Sequence, residues 1–188
     1  MTNGVPTREE ALAILHEFTA SEPLRRHAYA VEAAMRAYGK KLGEDEHAYG
    51  IVGLLHDFDY EKYPLAEEHP IKGSEILKER GISEVIREGI LAHAPHTGRP
   101  RDTQMKKAIF ACDELCGLIM AVTFVRPSKK IAEVTVESVL KKMKNKGFAA
   151  NVSRDDITTG AAELGIPLEQ HIATVLAAMQ GVAADLGV

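Results

Sequence analysis

The chain has 188 residues, 45% of them apolar and 27% charged, with a formal net charge of -4. That length buries a sizeable core in one domain without disulfides or a structural metal, and the composition excludes disorder and low complexity. With no basic face in prospect, nucleic acid and anionic membrane are not expected as partners, which leaves small molecules as the expected ligands.

Period and punctuation predict helices almost throughout. Thr7 and Glu10 form a capping-box pattern before "EALAILHEF", and Ser21 with Pro23 opens a second helix that runs to Gly43. A third is expected from about Asp45 to His56, a fourth from Pro70 to Gly81, and a fifth from Ser83 to His93 before Pro95. A long sixth covers "TQMKKAIFACDELCGLIMAVTFV" and stops before Pro127. Beyond it, "TVESVLKKMKNKG", "SRDDITTGAAELG" and "PLEQHIATVLAAMQGVAADLG" read as three more, each with a polar start and a glycine stop. No segment alternates as a strand. The expected fold is therefore all-α, one domain over residues 1-188, with roughly residues 126-188 a helical extension packed on the first six helices.

Cys112 and Cys116, four apart in an apolar segment, read as small buried hydrophobes. The start "MTNGVPTREEALAIL" lacks the basic and apolar regions of a secretory signal, and "GLIMAVTFV" is too short to span a bilayer. A reducing, cytoplasmic location is the expectation.

Several polar residues lie on apolar faces. His27 shares a face with Leu24 and Val31, where a lone histidine is ordinarily a satisfied core residue. Asp113 is flanked by Ile109, Phe110, Cys116 and Gly117, and an ionised carboxylate there needs a cation, hydrogen-bond donors or a metal ion. A salt bridge to an arginine or lysine is the other way to satisfy it. His93 closes a stripe with Ile86 and Ile90, and His56 with Asp57 follows Ile51, Val52 and Leu55. Imidazoles and carboxylates aimed inward from separate helices suit a divalent transition metal. Adjacent helical residues project about 100° apart, so His56 and Asp57 reach one ion only near a helix end. Gly53 lets a neighbouring helix come close.

The order His27, then His56-Asp57, then Asp113, each on its own helix, resembles the H…HD…D signature of the HD superfamily of metal-dependent phosphohydrolases. The resemblance covers roughly residues 20 to 125 and implies a helical bundle whose core helices meet at a metal. Two-metal members add a histidine after the doublet and another near the end of the next helix. His69, in "HPIKGSEIL", and His93, in "LAHAPHTG", stand at those places, and the phrasing resembles the HDIG-type subgroup. The resemblance then implies that Asp57 bridges two ions. A surface position at a helix start is the alternative for His69. "HAPHTGRP" lacks the Gly-Tyr-Pro motif of the cyclic-dinucleotide phosphodiesterase branch, and "HDFDYE" matches neither the ppGpp hydrolase nor the deoxynucleotidase spacing.

Such a site implies hydrolysis of a small phosphate ester or nucleotide by a metal-activated water, with one or two ions drawn from Mn, Fe, Co, Ni, Zn or Mg. Asp57 is then central, and Asp59 or Glu61 accepts a proton from the water or orients it. Phosphate or substrate contacts are expected from Lys72, His96, Arg126, Lys129 and Lys130. The same six ligands would serve a diiron oxygenase of this fold, and a regulatory module without turnover is a third possibility.

Overall fold

The computed structural model describes residues 4-188; residues 1-3, which begin the segment read for a secretory signal, lie outside them. Among the described residues the chain forms ten α-helices and no β-strand. They are α1 (Arg8–Phe18), α2 (Glu22–Leu42), α3 (Glu46–Leu55), α4 (Ile71–Glu79), α5 (Glu84–Leu91), α6 (Gln104–Phe124), α7 (Val136–Met143), α8 (Arg154–Glu163), α9 (Leu168–Gln180) and α10 (Ala183–Leu186). Short 3-10 turns occupy Pro95–Thr97 and Ile131–Glu133.

The helix starts follow their local chemistry. Thr7 Oγ1 accepts the N–H of Glu10 while the Glu10 carboxylate accepts that of Thr7, a reciprocal cap that satisfies two otherwise orphaned donors. The Asp45 carboxylate accepts from the amides of His47 and Ala48 to open α3. α2 is different, because Ser21 makes no side-chain cap bond. Glu61, from the turn after α3, supplies the acceptor, taking the N–H groups of Ala20 and Ser21 at 2.9 Å each.

Several of the expected helices are shorter than their periodicity suggests, α7 by the whole stretch after Met143, and three of them are cut short beside a histidine. α3 ends at Leu55 with His56 as its cap, α4 begins at Ile71 after His69 and Pro70, and α5 ends at Leu91, two residues before His93. The last expected helix is broken into α9 and α10 at Gly181 and Val182, where Val182 leaves helical geometry with φ -121° and ψ 24°. Gly181 gives the chain little helical preference at that point, and burial of Leu186 repays the turn.

α2 and α3 form the centre of the bundle. A Cβ on Gly53 would lie 2.7 Å from the Val31 carbonyl oxygen and 2.9 Å from Glu32 Cα, so only glycine permits this approach. α6 packs across both, and α8 lies on α6 through Gly160, where a Cβ would meet Ala111 Cα at 2.5 Å. α9 joins α2 to α6 by a buried polar link: Tyr38 donates its hydroxyl to His171 Nδ1 at 2.6 Å, and His171 Nε2–H donates to the Ala111 carbonyl at 2.8 Å. One apolar cluster runs from Ala11 to Leu186. Cys112 and Cys116 are free and fully buried in it. No helix among the described residues is long and apolar enough to cross a membrane.

Candidate metal centre

The close approach of α2 to α3 sets His27 beside His56, their Nε2 atoms 3.3 Å apart. α6 brings Asp113 to the same point, with Oδ1 3.0 Å from His27 Nε2 and 3.5 Å from His56 Nε2. Asp57 lies in the turn that follows α3, just past His56, whose φ and ψ are still helical. Its Oδ2 lies 3.4 Å from His56 Nε2 and 4.0 Å from His27 Nε2. Its Oδ1 faces the other way, 3.1 Å from His69 Nε2 and 3.3 Å from His93 Nε2. Two groups able to hold a metal ion result, His27 with His56, Asp57 and Asp113, and Asp57 with His69 and His93. They share Asp57, one oxygen toward each.

The hydrogen bonds behind these rings fix where their protons sit. Nδ1 of His56 lies 2.8 Å from the Gly53 carbonyl, Nδ1 of His93 lies 2.6 Å from that of Ile90, and Nδ1 of His69 lies 2.8 Å from Asp59 Oδ1. Each partner is an acceptor, so each Nδ1 carries a proton and donates it, which leaves Nε2 as the atom that meets a cation in the site, a proton or a metal ion. The Nε2 atoms of His69 and His93 then face each other across 3.2 Å, with a carboxylate oxygen alongside. Donor pairs crowded this way repel unless a cation lies among them. The donor chemistry therefore fits a divalent ion at each group.

Charge tells the same story. Burial disfavours a proton on His56, yet the charges of Asp57 and Asp113 outweigh it and hold its pKa well above the imidazole value. Burial likewise works against the two carboxylates, and the histidines beside them still hold both well below the usual carboxylate range. His69, opposed by burial and favoured by Asp57 and Asp59, is pushed up to about 9. Without a metal the site draws in protons as its positive charge.

A cavity of about 340 Å³ opens over the two groups. Of the residues expected beyond the ligands, His96 lines it and also donates Nε2–H to the His69 carbonyl at 2.8 Å, bracing that loop. Asp59 does not face it. Its side chain is fully buried, with one oxygen on His69 Nδ1 and the other accepting the Gly73 N–H at 2.8 Å, so it positions a ring and has no oxygen to spare for a water. Glu61 is turned to the start of α2 as described. Lys72 is exposed and paired with Glu75, and Arg126 lines a separate cavity with Val122, Pro127 and Lys142. Lys129 and Lys130 are exposed in the turn after α6 and line no wall of the site. For Arg126, Lys129 and Lys130 the reason is shared: the C-terminal end of α6 lies away from Asp113, so charge that is near in sequence is distant in space.

Sequence reasoning passed over three wall residues. Tyr60 sets its ring edge-on to His69 at 5.2 Å between centroids. Glu114, half buried next to Asp113, accepts the Ser153 N–H at 3.0 Å. Burial and the Asp113 charge push its carboxyl up to about 7, and a cation at Asp113 would remove the second cause. Asp156 arrives from the first turn of α8, where an acidic residue reads only as favourable to the helix dipole.

A family model described as the HD domain matches residues 24–118, just over half the chain and a span that takes in all six residues of the two groups. No curated protein and no solved structure matches the chain.

Proposed function

The chain belongs to the HD-domain family, and from that premise we propose that it is a phosphohydrolase acting on a small phosphate ester or nucleotide through an activated water. The observation that carries the reading is Asp57, whose two oxygens each face one pair of imidazoles whose Nε2 atoms point inward. Divalent ions held by His27, His56, Asp57 and Asp113, and by Asp57, His69 and His93, would lower the pKa of a water and draw charge from a phosphate oxygen.

The chain's own groups do the rest. Gly53, Asp59 and Ile90 each accept from the Nδ1–H of His56, His69 and His93, which holds the rings from rotating and would present their Nε2 lone pairs to a bound ion. Asp113 and Asp57 stay ionised and cancel part of the positive charge. Tyr60 and His96 stand at the rim of the cavity, within reach of a substrate seated in it.

A screen of phosphate monoesters and nucleotides with Mn, Co, Ni, Mg and Fe(II), run in air and without oxygen, tests the proposal. Phosphate release that is equal in both atmospheres is the expected result. Turnover that stops when oxygen is withdrawn and returns with Fe(II) and air would replace the hydrolase with a diiron oxygenase built on the same ligands.

A further inference from the structure

Beside the metal ligands the cavity lining carries a charge that a phosphate does not need. Glu114 from α6 and Asp156 from α8 line it, and no lysine or arginine among the described residues does. Arg101, whose charge acts on Asp156 from outside the lining, and Arg99 are already engaged. Arg101 lies over the Phe110 ring at 3.8 Å and is held by both oxygens of Glu163 at 2.7 and 2.6 Å, and Arg99 is paired with Glu88. The Asp156 carboxylate has no hydrogen bond or ion pair among the described residues; the favourable dipole at the start of α8 accounts for an acid there, but not for its placement in one wall with Glu114.

Two divalent cations less the carboxylates of Asp57 and Asp113 leave a net charge that a phosphate monoester dianion matches. Further phosphates would find no cation on these walls, and the volume is near the low end for a ligand site. Between Asp113 and the loop before α8 there is open floor at Gly117, where a Cβ would meet nothing closer than Val152 Cγ2 at 3.9 Å. We infer that the substrate is a small phosphate monoester whose organic part carries an ammonium group, received by Glu114 and Asp156. This rests on the phosphohydrolase reading and adds its specificity.

The test is equilibrium binding by calorimetry, on the full chain loaded with Mn(II), of three non-hydrolysable ligands of matched length: 3-aminopropylphosphonate, propylphosphonate and 3-phosphonopropionate. The ammonium ligand should bind roughly tenfold tighter than the neutral one, and the carboxylate ligand should bind weakest. Asp156→Asn and Glu114→Gln should each narrow the gap between ammonium and neutral ligands several-fold. Equal affinities, a reversed order, or a gap that survives undiminished in both variants overturns this inference and leaves the phosphohydrolase standing if the ester screen has released phosphate. Failure of all three ligands to bind, together with no phosphate release from any ester, removes both.

Discussion

His69 Nδ1 and Asp59 Oδ1 lie 2.8 Å apart inside the protein, and the arrangement depends on a residue that touches neither the ring nor the cavity. Gly73 donates its N–H to the other Asp59 oxygen, and a Cβ at that position would lie 2.7 Å from both Asp59 Cγ and Oδ2. The glycine four residues after His69 is therefore the seat of the carboxylate that aims the ring.

Asp59→Ala and Gly73→Ala should both weaken the ion held by Asp57, His69 and His93 while sparing the one at His27, His56 and Asp113. Loss of an outer partner of a ligating histidine costs roughly 10-100-fold in affinity. Calorimetric titration with Mn(II) reads this directly, as two events in the native chain with only the weaker one displaced in the variants. If both events move together, Asp59 does not act through His69 alone.

Asp57→Ala should abolish both ions, and His93→Ala one of the two. Elemental analysis after dialysis gives the stoichiometry. Because ligand bound only to the folded state stabilises it, by about 2.7 kcal/mol at a hundredfold excess over Kd, EDTA should lower the Tm of the native chain and leave that of Asp57→Ala where it was. A variant that keeps the wild-type metal content would falsify the shared role of Asp57.

Burial holds His171 down at about 4 against an ordinary value of 6.5, helped by the charge of Lys41 and opposed by its bond to the Ala111 carbonyl. As pH falls, the unfolded chain takes up this proton first. The stabilisation is complete above about 6.5, is lost through the window down to about 4, and amounts to about 2 kcal/mol lost by pH 5. Urea melts of the metal-free protein at pH 7 and pH 5, set against His171→Gln, isolate the effect: the variant should be destabilised at pH 7 and approach the native chain at pH 5.

Two glycines on the α6 side of the site should respond oppositely to alanine. At Gly160 the new methyl meets the Ala111 backbone at 2.5 Å, so α8 must move and stability should fall by about 1-3 kcal/mol. At Gly117, where the new methyl meets only Val152 Cγ2 at an ordinary 3.9 Å and the backbone is helical, Gly117→Ala should gain up to about 1 kcal/mol. Denaturant midpoints separate the two signs, and a destabilised Gly117→Ala would show that the cavity floor is not open.

The helices and the inward aim of His27, His56, Asp57, His93 and Asp113 were legible in the amino-acid order. Helical periodicity reports which way a side chain points relative to its own axis, and caps such as Thr7 with Glu10 mark where the axis begins. The same order carried the HD signature that the family match bears out. What it did not carry was the partner across each gap. Asp57 and Asp59 are two apart and alike in type, yet one faces four imidazoles and the other is spent behind one of them, because the chain leaves the helix between Leu55 and His69. Glu61 became the acceptor for α2 and the basic turn after α6 fell outside the cavity for a related reason: spacing along the chain does not fix separation in space once elements dock. The docking itself was set by glycines that admit backbone contact, Gly53 between α2 and α3 and Gly160 between α8 and α6. Only with both contacts made does Asp156, a hundred residues from His56, become a wall of the same site.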